Sequence, residues 1–278
     1  MEGTRLARKI LESASAKIRR VIEKTGVTPC LATVLVGDDK SSAVYVRMKS
    51  KRCEDVGMKS LTIELPPDVS TQETVSAVSR LAADEGVHGI LIQHPVPRSV
   101  DRRAAFEMIP LQKDVDGATS AAMGRLILGM PAYPPCTPAG IMRLLGENGV
   151  PLDGSHAVVI GRSPILGRPM ASMLINAHAT VTLCHSRTKS LPDIVRRADI
   201  LIAAVGKPRF VQGDWVNKGV VVVDAGYNEG VVGDVDFDAV AKHASKITPV
   251  PGGVGPMTIA TLIEHTAEAA MQQLGECG

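Results

Sequence analysis

Apolar positions along the 278-residue chain recur in two periods. At the start, Leu6, Ile10, Ile18 and Val21 of "MEGTRLARKILESASAKIRRVIEKTG" fall at helical spacing among charges of both signs. That pattern predicts an amphipathic helix ending at Gly26, not a signal peptide. "CLATVLVG" is a strand-length apolar run, followed by the helical pattern of "SSAVYVRMKSKRCEDVG". Its leading serines are good N-caps, and Val44, Met48, Cys53 and Val56 are expected as its buried stripe. "SLTIELP" reads as the next strand, and Ser70-x-x-Glu73 as a capping box opening a helix through Val75, Val78 and Leu81. "HGILIQ" predicts a strand halted by the prolines of "HPVP".

The stretch from 111 to 135 reads as an ordered working loop, rich in Pro and Gly and carrying "QKDVDG" and "MPAYPPC". Thr137-Pro138 then reads as N-cap and first residue of a helix through "AGIMRLL". After it come "HAVVIG", a helix from about Arg168, "ATVTLCH", "SLPDIVRRA", "DILIAAVG", "GVVVVDAG" and a last helix "MTIATLIEHTAEAAMQQL". Strands separated by helices imply parallel sheets with right-handed crossovers. The expected fold is α/β: two α/β units joined near residue 138 around a cleft, the second a Rossmann-type unit with a parallel sheet.

Composition narrows the function. An apolar fraction of 45% suits a full globular core, and a net charge of +2 points to neither nucleic acid nor a membrane surface. No apolar run approaches a membrane span in length. Five scattered cysteines without C-x-x-C fit reduced thiols in a cytosol and give no metal-ligand spacing. A cytoplasmic protein without a metal site is the expectation.

Candidate chemistry gathers in five places. In the second unit, "HAVVIGRSPILGRPM" is strand, glycine turn and helix, with Gly161 and Gly167 flanking a turn able to offer backbone N–H groups to a pyrophosphate. The spacing is not G-x-G-x-x-G, since Ser163 stands where the second glycine belongs. The following strand ends in His185-Ser186-Arg187-Thr188 without the acid that an NAD site places there. Arg162, Ser186 and Arg187 could instead pair with a ribose phosphate, which argues for NADP. In the first unit, Tyr45 and Lys49 share a helix face with Ser42. The plain alternative is a half-buried tyrosine and a lysine lying along an apolar surface. A lysine does acid/base work near neutrality only if its pKa falls by roughly three units, and Gln93, at a strand end, can orient one without adding charge. Asp116 in "KDVDG" suits an N–H-rich heterocycle, whereas Asp114 reads as a turn cap. The glycines of "PGGVG" permit close backbone approach to a flat ligand.

Taken together, "VGDDKSSAVYVRMKSKRCEDVG", "GILIQHPVP", "KDVDG", "PCTPAGIMRLL", "VVIGRSPILGRPM", "AVGKP", "GDVDF" and "ITPVPGGVGPMTIATLIE" resemble the bifunctional methylenetetrahydrofolate dehydrogenase/methenyltetrahydrofolate cyclohydrolase family over nearly the whole chain. The resemblance implies NADP+-dependent oxidation of 5,10-methylenetetrahydrofolate, then hydrolysis of the methenyl product to 10-formyltetrahydrofolate. It implies that Tyr45 stacks on the folate, that Lys49 relays protons, that Gln93 tunes Lys49 and that Asp116 holds the pterin. Ser42, Pro251, Gly252, Gly253 and Gly255 would line the folate. Gly161, Arg162, Ser163, Ser186, Arg187 and Tyr227 would line NADP. It further implies a folate/catalytic domain of 1–138 plus 258–278, an NADP domain of 139–257, a final helix packed on the first unit, and a homodimer.

Three positions depart from the family pattern: His94 where leucine is usual, Ala122 where asparagine is common, and Tyr227 where isoleucine or valine is frequent. A short-chain dehydrogenase would need its glycine turn before the Tyr-x-x-x-Lys pair. A shikimate-dehydrogenase-like enzyme shares the layout but not "PGGVGPMT". A non-catalytic NADP-sensing module would not need Lys49, Gln93 and Asp116 together.

Overall fold

The computed structural model describes residues 1–276, with backbone only for Lys40 and Ser41; residues 277 and 278 of the expected C-terminal segment lie outside it. Along the chain run α1 (Gly3–Thr25), β1 (Cys30–Val36), α2 (Lys40–Asp55), β2 (Lys59–Leu65), α3 (Thr71–Ala83), β3 (Gly89–Ile92) and α4 (Arg102–Phe106). A short 3-10 turn (Leu111–Lys113) precedes α5 (Ser120–Ile127) and α6 (Cys136–Glu147). Then come β4 (His156–Ile160), α7 (Gly167–Asn176), β5 (Thr180–Cys184), α8 (Leu191–Val195) and β6 (Ile200–Ala203). The chain finishes with β7 (Val221–Asp224), α9 (Phe237–Val240), β8 (Lys246–Ile247) and α10 (Val254–Gln273).

Two compact units share these elements. The first comprises residues 9–125, 131–134 and 259–278; the second comprises 1–8, 126–130 and 135–258. In the first, three parallel strands lie in the order β2-β1-β3. Central β1 is buried at every position, as a strand covered on both faces must be. Val34, Ile90 and Ile92 pack with Val78 and Leu81 of α3 and with Phe106. The C-terminal half of α10 belongs here: His265 Nδ1 lies 2.9 Å from the Val115 carbonyl, and Gln273 Nε2 donates to the His88 carbonyl at 2.8 Å.

The second unit is a five-stranded parallel sheet, β5-β4-β6-β7-β8. Period-two alternation divides its apolar residues between two cores. Ala157, Val159, Ile202 and Val223 face Ile141, Leu145, Met170 and Leu174, whereas Val158, Ile160, Leu201 and Val222 face Val195, Val211 and Val240. From β4 the chain goes to β5 on one side and then to β6 on the other, so strand order reverses beside β4. Ligands of such sheets sit at the carboxyl ends of the strands on either side of that reversal.

Several expectations are corrected. The cap of α2 is Asp39, whose carboxylate accepts from Ser42 N at 2.7 Å, not a serine. Val44 and Met48 are 46% and 49% exposed; the buried stripe runs through Ser42, Val46, Lys49, Cys53 and Val56. Both sets have helical spacing, and the β-sheet beneath selects the polar-headed one. The loop of 111–135 contains α5, and α6 starts at Cys136, so Thr137 and Pro138 lie inside its first turn. Thr137 Oγ1 lies 3.0 Å from Thr258 Oγ1 instead of capping. α10 begins at Val254, which puts Gly255 in a helical turn. The Ser70–Glu73 capping box is present as expected.

Candidate functional site

In the first unit the polar groups converge where β1 and β3 end. Gln93 continues β3 by one residue, its N–H donating to the Val34 carbonyl at 2.8 Å. From α2, Lys49, only 8% exposed, reaches across and donates from Nζ to Gln93 Oε1 at 2.8 Å. The orientation of that carboxamide is set from behind, because Gln93 Nε2 donates to the His94 carbonyl at 2.7 Å. Ser42 Oγ donates to the same carbonyl at 3.1 Å. Ser42 is 2% exposed, and this bond seats the start of α2 on the 93–94 segment. Tyr45, one turn before Lys49 and half-buried, stands at the rim of the same helix.

Asp116 is presented by a loop whose neighbours are anchored. Lys113 is buried and its Nζ donates to the carbonyls of Ala82 and Asp84 at 2.9 and 2.7 Å, satisfying the C-terminal end of α3. Asp114 accepts from Ala118 N and Thr119 N, both at 2.9 Å, as the turn cap read from the sequence. Burial raises its pKa, and those hydrogen bonds oppose the rise. Val115 is fully buried, leaving Asp116 half-exposed between fixed points.

His94 completes the group. Its ring stacks on Phe106 with centroids 5.3 Å apart, and it feels both Asp116 and Lys49. Burial lowers its pKa first; Asp116 pulls it up, and Arg102 and Lys49 push it down. Lys49, Gln93, His94 and Asp116 thus form one electrostatic neighbourhood.

In the second unit the turn after β4 is set by backbone packing. Gly161 has φ +121°, and a Cβ there would collide with the Ala204 carbonyl. A Cβ on Gly167 would in turn collide with the Gly161 carbonyl, which seats the start of α7 directly on the turn. Ser163 accepts through Oγ from Gly167 N at 3.4 Å and through its carbonyl from Arg168 N at 3.1 Å. Gly161 N donates to the Cys184 carbonyl at 2.9 Å, which brings the end of β5 alongside. Ser186 and Arg187 follow there, both exposed, in a turn held by His185 N donating to Thr188 Oγ1 at 2.9 Å. Arg162 is exposed too. A donor set of two guanidinium groups and a hydroxyl, with no carboxylate at the strand end, fits a phosphorylated ribose. Tyr227, 58% exposed, follows β7.

The "PGGVG" segment belongs to this second unit. Gly252 has φ +99°, and its carbonyl accepts from Gly3 N at 2.8 Å and Thr4 N at 3.2 Å. The space left by Gly253 is taken by Thr248 and the Pro249 carbonyl, and that left by Gly3 by the Gly253 carbonyl. Here glycine serves close packing of the chain on itself; only Gly255 has open space where its Cβ would lie.

Sequence reading missed three residues that shape these surroundings: Lys113, Asp224 and Asp234. Each lies in or beside a motif, yet buried charge leaves no periodic signal. Among the described residues no cluster of His, Cys, Asp and Glu could hold a metal ion, and no helix is long and apolar enough to cross a membrane.

Comparison with known proteins gives a consistent result. The catalytic-domain description of tetrahydrofolate dehydrogenase/cyclohydrolase matches residues 1–116, and its NAD(P)-binding-domain description matches residues 135–274. The chain is 54% identical over 276 residues to the bifunctional protein FolD of Acidobacterium capsulatum, covering 99% of this chain and 98% of that one. It superimposes on the crystal structure of the bifunctional FolD enzyme of Campylobacter jejuni with a TM-score of 0.95 at 45% identity, covering 98% of each chain. The Trypanosoma brucei enzyme, solved with NADP cofactor and inhibitor, gives a TM-score of 0.94 at 36% identity, covering 98% of this chain and 97% of that one. With both domain descriptions matched in order and full-length relatives at this identity, the chain belongs to the tetrahydrofolate dehydrogenase/cyclohydrolase family.

Proposed function

We propose that this protein oxidises 5,10-methylenetetrahydrofolate with NADP+ and hydrolyses the methenyl product to 10-formyltetrahydrofolate, and that Lys49 is the proton relay of the second step. The observation that carries the reading is the buried Lys49 amine, 2.8 Å from an uncharged acceptor whose own orientation is locked by the His94 carbonyl. A carboxylate there would hold the ammonium form; Gln93 orients the amine without doing so. A cation beside the methenyl cation would be repulsive, so an amine able to pass a proton to and from water suits the hydrolysis.

Tyr45 stacks on the folate and Asp116 accepts from its pterin ring. Pro251, Gly252, Gly253 and Gly255 lie along the folate, with Gly255 offering the open side. Gly161, Arg162 and Ser163 contact the cofactor, Arg162 joins Ser186 and Arg187 at its ribose phosphate, and Tyr227 lies at the nicotinamide end. NADP+, when bound, supplies the hydride acceptor. The chain's part in that step is alignment, since hydride transfer needs no protein acid or base. In this reading the folate/catalytic role goes with residues 1–138 plus 258–278 and the NADP role with 139–257. The enzyme works in the cytoplasm as a homodimer, and light scattering on the purified protein tests the dimer.

The deciding experiment follows NADP+ reduction with methylenetetrahydrofolate, and separately methenyl hydrolysis without NADP+. The wild type should do both, and Lys49→Ala should lose hydrolysis while keeping near-normal NADPH affinity. Hydrolysis surviving within about tenfold, a barrier change of only ~1.4 kcal/mol, would show that Lys49 is not the relay.

A further inference from the structure

Two fully engaged carboxylates lie behind the nucleotide-binding turns. Asp234 is 0% exposed. Its Oδ2 accepts from Val205 N at 2.6 Å and Gly206 N at 2.9 Å, and its Oδ1 from Lys207 N at 2.9 Å and Asn228 Nδ2 at 3.0 Å. Three successive backbone N–H groups thus converge on one anion, with Gly206 at φ +65°, the arrangement that elsewhere cradles a phosphate. Here the protein's own carboxylate fills it, so those N–H groups are not available to a cofactor phosphate.

Asp224, 3% exposed, stands directly behind. Its Oδ1 accepts from Gly226 N and Asp234 N, and its Oδ2 from Val235 N, each at 2.9 Å. A Cβ on Gly226 would collide with the Asp234 carboxylate, and one on Gly233 with that of Asp224. Both glycines are therefore required for the carboxylates to enter.

What this pair holds is specific. The turn at 205–207 follows Ala204, whose N–H donates to the Ile160 carbonyl at 2.8 Å and whose own carbonyl occupies the space a side chain on Gly161 would need. The segment 226–228 carries Tyr227 between two residues tied to Asp224 and Asp234. The two pieces lie at the carboxyl ends of adjacent strands β6 and β7, and β6 neighbours β4, where strand order reverses.

We propose that Asp234, backed by Asp224, is a positioning residue for the cofactor. It acts through the 204–207 turn and Asn228 to set the Gly161 turn and Tyr227, without touching the cofactor itself. The inference rests on the reading that these turns take NADP. In Asp234→Asn one oxygen becomes an NH2 group, which cannot accept from the N–H groups facing it.

The test uses the full-length protein, with NADPH binding measured by fluorescence quenching alongside both activities. Asp234→Asn should weaken NADPH binding and raise the KM for NADP+ by about tenfold or more, with methenyl hydrolysis measured without cofactor staying within about twofold. NADPH affinity equal to wild type would overturn the inference, as would equal loss of hydrolysis and binding, the mark of general damage. If Asp234→Asn does not fold, Asn228→Ala removes one partner of the carboxylate. It should weaken NADPH binding about threefold, and unchanged affinity would again overturn the inference. A wild type that neither binds NADPH nor reduces NADP+ would instead sink the underlying functional reading.

Discussion

Gln93 shows how much of the proposed chemistry depends on one uncharged atom. Its Oε1 accepts from the Lys49 amine while its amide nitrogen is committed to the His94 carbonyl, so the side chain cannot turn round without losing both bonds. Gln93→Glu keeps the shape but places an anion 2.8 Å from Nζ. It should stabilise the ammonium and cut methenyl hydrolysis by about 100-fold, with NADPH affinity unchanged. A Gln93→Glu enzyme as fast as wild type would remove the need for a neutral acceptor. In the second unit, charge is the proposed selector of the cofactor. Arg187→Ala should lower the preference for NADP+ over NAD+ by about tenfold, measured as the ratio of kcat/KM values. An unchanged ratio would leave the exposed Arg187 a solvated surface group.

At the scale of elements, the strand–turn–helix from β4 to α7 depends on backbone approach. Gly161 combines a positive φ with contact to the Ala204 carbonyl, so Gly161→Ala strains the turn twice over. NADPH affinity should fall by about 30-fold or more, while hydrolysis without cofactor stays within about threefold. α3 offers a different check, because its capping box is local. Ser70 Oγ accepts from Glu73 N at 3.2 Å and Glu73 Oε2 accepts from Ser70 N at 2.9 Å. Ser70→Ala should lower the melting temperature by about 3 °C without changing either activity.

Across the whole molecule, buried titratable groups shape stability. His88 is fully buried, with Nδ1 accepting from Cys30 N at 3.2 Å. Burial lowers its pKa, Lys113 lowers it further and Asp84 opposes them. His94 is lowered as well, chiefly by burial. In the unfolded chain both imidazoles take up a proton near 6.5, and in the folded chain only below that. Their contribution is therefore complete above 6.5 and is lost as pH falls toward the folded pKa. Asp114 and Asp224 carry the opposite sign: burial raises both from 3.8, so their protonation favours the folded state in a window opening upward from that value. The urea midpoint should fall between about pH 7 and pH 5.5, and fall less in His94→Leu. A midpoint that rises over this interval would mean that the carboxyls outweigh the histidines. Cys30, Cys53, Cys136 and Cys184 are buried thiols, and burial pushes Cys53 up to about 12. Peptide mapping after treatment with a thiol reagent should find these four unlabelled in the native protein and labelled in urea.

Most elements and the chemical character of the site were legible in the order of residues. Period-two and period-3.6 patterns, the Ser70–Glu73 cap and the apolar runs of β1, β4, β6 and β7 are local properties, written within a few residues of each other. So was the absence of an acid after β5. Helical spacing identifies which residues of α2 share a face, but it does not say which face meets the sheet. That is why Val44 and Met48 are exposed and Ser42 and Lys49 are buried. Polar groups can be buried there only because partners come from elsewhere in the chain. Lys49 and Gln93 are 44 residues apart, and Lys207 and Asp234 are 27 apart. A charge or hydroxyl leaves water only where such a partner replaces it, and which partner arrives is settled by how strands and loops come together in three dimensions.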